Sequence, residues 1–268
     1  MPIWLYQIKP LYTAIVMLVL IETVSVTGLF LVRRLVLPRL GINESVNDAV
    51  SGTVQAIGVF YGITVGLIAV GVWNTNSNAA ELVSKEAAAI GALYRNTSGY
   101  PSPIREDLRA GLRDYTMFMI YEAWPEQKVG RGILINRGTR IMDDFQARLF
   151  AFEPANQSQF ALHAETLRAY NSLIEYRNLR IHVVNSSLSS IMWTVIWIGA
   201  AISIGVAYFY KIDDVKVHVI LISLMSGFLS LVLFMIIIND RPFYGAVSIS
   251  PAPYQLILDR VIDSKQAP

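Results

Sequence analysis

Cysteine is absent from all 268 residues of the chain. This absence excludes disulfide bonds, thiol catalysis, thiolate metal sites and iron–sulfur clusters. Charge is also scarce, since 16% of the residues are charged, against about 25% in a typical soluble domain. The formal net charge of +2 provides no concentrated basic surface of the kind that nucleic-acid binding requires, so no nucleic-acid partner is expected.

Sequence motifs that carry catalysis are missing as well. The chain has no phosphate-binding glycine loop, nucleophile elbow or paired-carboxylate motif. His163, His182 and His218 are isolated from one another and lack the i, i+4 partner or acid of a metal site. Packing or interfacial roles are expected for them. The sequence therefore predicts no enzyme, no metal site and no cofactor.

Long apolar runs are what the sequence does contain. Hydrophobic residues make up 54% of the chain, and four stretches supply the roughly 20 apolar residues that a membrane-spanning helix needs. These stretches are Leu11–Val32, Val54–Trp73, a run within Val183–Tyr210, and Val219–Asn239. The sequence predicts an all-α integral membrane protein with four transmembrane helices. The partner of these helices is then the lipid bilayer that surrounds them.

Between spans two and three the pattern changes to amphipathic helices, which predicts a helical extramembrane bundle. The resulting domain boundaries are 1–75 for spans one and two, 76–182 for the extramembrane domain, 183–240 for spans three and four, and 241–268 for a tail with a short helix. Span two is expected to continue as one helix to about Arg95. The periodicity from Gln157 predicts a helix that runs unbroken into span three, and Trp124-Pro125 is expected to end a helix.

Orientation in the membrane is not decided by charge. Five basic residues lie near one set of span ends and five near the other, so the positive-inside rule gives no answer. The two sets are Arg33, Arg34, Arg39, Lys211 and Lys216 on one side, and Lys9, Lys85, Arg177, Arg180 and Arg241 on the other.

Span two carries two contrasting faces. One face has the helix-packing candidates Gly58, Gly62 and Gly66, whose four-residue spacing allows close helix approach in lipid. The opposite face has the pore-lining candidates Ile57, Tyr61, Thr64 and Ile68. In a pore, the two isoleucines would form apolar rings that gate by dewetting. The alternative interpretation is that both faces make ordinary contacts inside the membrane.

Glu22 is the single acid within the first span. An ionisable group there costs a few kcal/mol, so it should face protein or water and have a partner. A proton relay or a cation-attracting group is one interpretation of this intramembrane acid. The other is a neutral carboxylic acid that hydrogen-bonds to Thr23, Ser25 or another span.

Several short sequence segments resemble those of a bacterial membrane-protein family labelled domain of unknown function 4239, which is described as bestrophin-like. They are YGITVGLIAVGVW and NAAELVSKEAAAIGALYR in Tyr61–Arg95, YEAWP at Tyr121–Pro125, RNLR at Arg177–Arg180, and NDRPFYGAVSISPAPYQLILD at Asn239–Asp259. The resemblance touches most of the chain, in order. No single word is a catalytic signature, so its specificity comes from the set.

The resemblance implies a distant relation to bestrophins, which are pentameric anion channels with four spans and a cytosolic helical region between spans two and three. It implies a homo-oligomer, inorganic ions as the transported partners, a bacterial inner-membrane location, and both termini in the cytoplasm. The calcium-sensing clasp of animal bestrophins is not carried over, because the early tail offers only Asp240 and Asp259 as acids.

The leading functional hypothesis is therefore an oligomeric bestrophin-like ion channel, anion-conducting, with span two lining the pore. A membrane-anchored helical sensor or scaffold is the first alternative, since two spans flanking about a hundred helical residues also describe sensory modules. A motor or transport stator subunit is the second alternative, with Glu22 as its proton-carrying acid.

Overall fold

The computed structural model describes residues 4–40, 46–130 and 135–263. All regular elements in these ranges are helical, which confirms the predicted fold class. The helices are α1 Trp4–Gln7, α2 Pro10–Leu31, α3 Leu37–Leu40, α4 Asn47–Asn96, α5 Ile104–Phe118, α6 Trp124–Lys128, α7 Ile135–Phe150, α8 Gln157–Val184, α9 Ser190–Ala207, α10 Val215–Asn239 and α11 Ala252–Ile257. Wider π-helical turns occupy Val32–Val36, Met119–Ala123 and Leu258–Ile262.

Within the part of the chain that the structure describes, four helical segments are long and apolar enough to cross a membrane, as the sequence predicted. They are Pro10–Leu40, Asn47–Gly99, Ser190–Ala207 and Val215–Asn239. The second is much longer than a bilayer requires, because the spanning part and its extension form the single 50-residue helix α4.

The contacts divide the chain into two compact units. The membrane unit, as we call it, comprises Ile8–Asn74 and Ser187–Asp240. The extramembrane unit comprises the described residues of Met1–Gln7, Thr75–Ser186 and Arg241–Pro268. Each unit is thus assembled from pieces that are distant in the sequence.

In the membrane unit, α2 and α10 pack along each other. Leu29, Ala207 and Ile222 are buried together, with Tyr208 packed against them. Gly28 makes this possible, since a β-carbon there would come within 2.7 Å of the Tyr208 hydroxyl. In the extramembrane unit, α5 packs on α7. Leu108 and Leu112 of α5 and Leu149 of α7 are fully buried.

Two predictions about helix ends are wrong. Helix α8 does not run into span three, because it ends at Val184 and α9 begins at Ser190. The Ser189 hydroxyl caps α9 by accepting from the Met192 amide at 3.3 Å, and the Asp240 carboxylate accepts from the Leu188 amide at 2.6 Å. These side chains satisfy backbone groups at the break.

Pro125 does not end a helix either. The turns of α5 continue through the wide segment Met119–Ala123 into α6, where Pro125 occupies the first turn. Pro125 lacks an amide to bond back along the helix, and it follows directly after the wide turn at Met119–Ala123.

Candidate functional site along helix α4

The membrane half of α4 packs against the rest of the described chain on one face only. Tyr61, Val65, Ala69 and Val72 are buried there, at the three- and four-residue spacing of a helix face. The Tyr61 hydroxyl donates to the Ile196 carbonyl of α9 at 2.9 Å. Its ring lies on Gly199, where a β-carbon would approach a ring carbon at 2.4 Å. Tyr61 therefore anchors α4 to α9 within the chain.

Most of the other predicted residues of span two lie on surfaces that the described chain leaves open. Among the described residues, no neighbour comes within 4 Å of the β-carbon position at Gly58, Gly62 or Gly66. Thr64 is exposed, and its hydroxyl donates to the Phe60 carbonyl one turn back at 2.8 Å. The remaining pore-lining candidates, Ile57 and Ile68, are half-buried. Helix packing and pore lining by these residues stay predictions.

The extramembrane half of α4 contains a buried ion pair that sequence reasoning missed. Glu86 has none of its surface exposed, and Arg180 of α8 has 2%. Arg180 Nε donates to Glu86 Oε2 at 2.6 Å, and the Tyr115 hydroxyl of α5 donates to Oε1 at 2.6 Å. Both carboxylate oxygens thus have partners, which is the condition for burying a charge.

Aromatic side chains surround this ion pair and attach the segment after span four to it. The Arg180 guanidinium lies 5.9 Å over the Trp124 ring. Trp124 packs edge-on against Phe243 and Tyr254, with ring centroids 5.7 and 5.5 Å apart, and its indole N–H donates to the Ile249 carbonyl at 2.8 Å. The tail is therefore part of the core of the extramembrane unit.

Two tyrosines of the cluster are held in their neutral form. Burial, followed by the negative charge of Glu86, raises the pKa of Tyr115 and of Tyr254. Both effects disfavour a phenolate, because it would be unsolvated and next to a carboxylate. The Tyr115 hydroxyl therefore remains a donor to Glu86.

A sequence signal for Glu86 was available. Glu86 follows Val83 by three residues and precedes Ile90 by four, so it lies on the apolar stripe that predicted the buried face of this helix. An acid at such a position requires a buried partner. The sequence words that carry the family resemblance also contain Glu86, Trp124, Arg180 and Tyr254.

Glu22, the intramembrane acid, lies against α10. Its Oε1 is 3.1 Å from the β-carbon position of Gly227, so the absence of a side chain at Gly227 makes room for the carboxyl group. The neighbouring hydroxyls that were candidate partners bond to their own helix instead. Thr23 donates to the Val19 carbonyl and Ser25 to the Ile21 carbonyl, each at 2.7 Å.

Within the described ranges, no group of three or more His, Cys, Asp or Glu side chains is arranged to hold a metal ion. The arrangement along α4 instead combines an uncharged intramembrane surface with an extension locked by a buried ion pair. Together with the four spans, these features define an all-helical membrane protein with a helical region between spans two and three.

The chain belongs to the bestrophin-like family, since the bestrophin-like domain model matches residues 19–254. Two mutants of a bacterial bestrophin homolog from Klebsiella pneumoniae have similar solved structures. One gives a TM-score of 0.69 at 12% identity and covers 93% of this chain and 98% of its own. The other gives 0.68 at 13%, covering 95% and 99%.

A third solved structure, described as a membrane protein, gives a TM-score of 0.68 at 12% identity and covers 95% of this chain and 99% of its own. No curated protein matches the sequence. At these identities the solved structures establish a shared fold, and the family model establishes the membership.

Proposed function

We propose that the protein is an oligomeric ion channel in which α4 of each subunit lines a central pore. The observation that carries this proposal is the surface of the membrane half of α4, which has no charged residue between Asp48 and Glu81 and packs on one face only. Membership in the bestrophin-like family supports the same function. Two further parts of the proposal, the preference for anions and the pentameric state, are based on the resemblance to bestrophins.

The open glycine face supports assembly from several subunits. Gly58, Gly62 and Gly66 let another helix approach the backbone closely, and such contact drives association in lipid, where apolar surface alone gives no driving force. Lipid covers exposed leucine or valine equally well. A glycine row with no neighbour among the described residues is therefore the more informative feature of this surface.

Thr64 is the polar group that we place beside the ion path. It lies three residues after Tyr61, hence about 60° around the helix from it, so the contact of Tyr61 with α9 leaves Thr64 exposed. Ile57 and Ile68 flank it along the helix as the apolar rings. Tyr61 then acts by fixing the rotation of α4 rather than by contacting ions.

Recording from purified protein in planar bilayers tests the channel. We expect currents whose reversal potential in a salt gradient follows the anion, and an altered conductance or ion preference in Thr64→Lys and Ile68→Lys. Thr64→Ser is the matched control and should conduct like the wild type. Silence over a range of pH and calcium would contradict the channel, and unchanged currents in both lysine variants would remove this face from the pore.

Native mass spectrometry in detergent tests the assembly separately. We expect a pentamer that Gly62→Leu dissociates, because the added side chain blocks close approach at the glycine face. Gly205→Leu is the control, since the described residues also leave that α9 glycine without a neighbour within 4 Å. A wild-type mass equal to one subunit would contradict the proposal.

We further propose a bacterial inner-membrane location with both termini and the extramembrane unit in the cytoplasm. The exposed Asn136 offers a site for a single introduced cysteine, and the chain has no native one to interfere. Asn136→Cys should resist a membrane-impermeant thiol reagent in intact cells and react after permeabilisation. Labelling in intact cells would support the sensor alternative instead.

A further inference from the structure

The turn between α9 and α10 is bound by the end of the first span. Arg33, just after α2, donates from Nη1 to the Ile212 carbonyl at 2.8 Å and from Nη2 to the Asp213 carbonyl at 3.4 Å. Two backbone carbonyls of one turn thus share a single guanidinium. The position of the turn depends on that side chain.

His218 completes this contact from the first part of α10. Its Nδ1 is 3.0 Å from Arg33 Nη1, and its Nε2 is 3.2 Å from the Ala207 carbonyl. A guanidinium has only donors, so Nδ1 must accept. The ring proton is then on Nε2 and is donated to Ala207. With 1% of its surface exposed, His218 is a neutral bridge between Arg33 and α9.

The charged groups around the His218 ring determine how protonation of the ring would affect this hydrogen bond. The nearest charged group on another element is the Arg33 cation. The turn contributes Lys211 and Asp213, which face each other at 3.9 Å on the surface, while the Asp214 carboxylate caps α10 by accepting from the Lys216 amide at 2.8 Å. Tyr208 is the ionisable group at the end of α9, and it packs on Leu29 and Ile222.

The same turn is tied to the start of α4. Asn47, the first residue of that helix, accepts from the Lys211 amide through Oδ1 at 2.8 Å and donates from Nδ2 to the Lys211 carbonyl at 3.1 Å. Asn47 is neutral, so this second contact does not itself titrate. The turn therefore connects a proton-sensitive bond on one side to the first residue of α4 on the other.

We infer that Arg33 and His218 form a proton-operated latch on the α9–α10 turn. A proton taken from water by the Nδ1 lone pair converts the acceptor of Arg33 into a donor and sets two cations side by side. The hydrogen bond breaks, Arg33 moves away, and the turn with the Asn47 contact loosens. Acid thus opens the latch and neutral pH closes it. An effect on ion flow through α4 would rest on the proposed function, but the latch itself does not.

Hydrogen exchange of the full chain in detergent tests the latch directly. Amides of residues 208–214 are compared at about pD 7.5 and about pD 5.5, which bracket the ordinary histidine pKa of about 6.5, after correction for the intrinsic rates. We expect their protection to fall by about tenfold or more at the lower pD, the change that one pH unit of linked titration produces.

Two variants separate the latch from general acid effects. His218→Asn keeps an acceptor near the Nδ1 position that cannot take a proton, so protection should stay high at both pD values. Arg33→Gln removes the second cation and should reduce the response to pD. His182→Asn, on a histidine of the other unit, is the control and should respond like the wild type.

Equal wild-type protection at both pD values would overturn the latch, as would a full response in His218→Asn. If that variant does not fold, the wild-type and Arg33→Gln measurements still decide. Current recordings then ask whether the latch controls conduction. A chain that exchanges as expected but carries no current would contradict the channel and leave the latch standing.

Discussion

The two halves of α4 differ in how completely the rest of the chain buries them. In the extramembrane half, Val83, Ile90 and Leu93 are fully buried together with Glu86. In the membrane half, Tyr61 and its neighbours cover one face while the glycine row has no neighbour among the described residues. One helix thus completes its packing within the chain at one end and leaves an uncovered surface at the other.

Solvent explains this difference. In water, an apolar surface must be buried, so the exposed face of the extramembrane half carries the ion pair of Glu81 with Lys85, at 2.7 Å. In lipid, apolar side chains can stay outside at no cost, and packing is driven by close contact and hydrogen bonds. The Tyr61 hydrogen bond to Ile196 and the fit of its ring to Gly199 are contacts of that kind.

The largest effect is expected from a substitution in the buried, extramembrane half of α4. Glu86→Ala leaves Arg180 as an unpaired buried cation, and removing one partner of such a pair costs about 3–5 kcal/mol. Denaturant unfolding in detergent, followed by tryptophan fluorescence, measures the loss. Glu81→Ala is the control on the same helix, because a solvent-exposed ion pair contributes little to stability. Equal effects of the two substitutions would contradict the buried ion pair.

An intermediate effect is expected where the membrane half does pack. In Gly199→Ala the new methyl group meets the Tyr61 ring, and overpacking of this kind costs about 1–3 kcal/mol. The shift of the unfolding midpoint in detergent measures it, with Gly205→Ala as the unhindered control. Adding Tyr61→Val should relieve the clash, whereas Tyr61→Phe should not, because ring carbons rather than the hydroxyl make the contact. Relief by both variants would refute this contact.

The smallest effect is expected from a histidine of the extramembrane unit, through the pH dependence of stability. Burial lowers the pKa of His163, whose Nδ1 is 2.8 Å from the Tyr100 hydroxyl. The unfolded chain, with a pKa of about 6.5, binds a proton that the folded chain refuses, so stability falls as the pH drops below that value. His163→Gln should flatten the stability–pH profile between about pH 7 and 5. Superimposable profiles for wild type and His163→Gln would contradict the prediction.

Periodicity and composition predicted the four spans, the long helix through span two and the amphipathic region after it, because these are local properties of the chain. The Glu86–Arg180 pair joins residues that are 94 positions apart, and no local pattern selects that partner. The contact of Glu22 with Gly227 is equally non-local. For His218 the sequence predicted only a packing or interfacial role. Its hydrogen bond to Arg33 could not be predicted, because it depends on how two distant helices meet.

The break between α8 and α9 was missed for a different reason. Apolar spacing continues through it, while the local signal was the polar run from Asn185 to Ser187 and the cap at Ser189. Pro125 shows the opposite error, since a proline usually ends a helix, whereas here the helical turns continue past it after the wide segment Met119–Ala123.

The attachment of Trp124 to Phe243, Ile249 and Tyr254 has a consequence for biosynthesis. A ribosome makes Trp124 long before it makes Tyr254, and two further spans must enter the bilayer in between. Until then the aromatic cluster lacks its final side chains and the Glu86–Arg180 pair lacks part of its cover. The extramembrane core can therefore be completed only after the fourth span has left the ribosome. The order of synthesis thus sets when this core finishes folding.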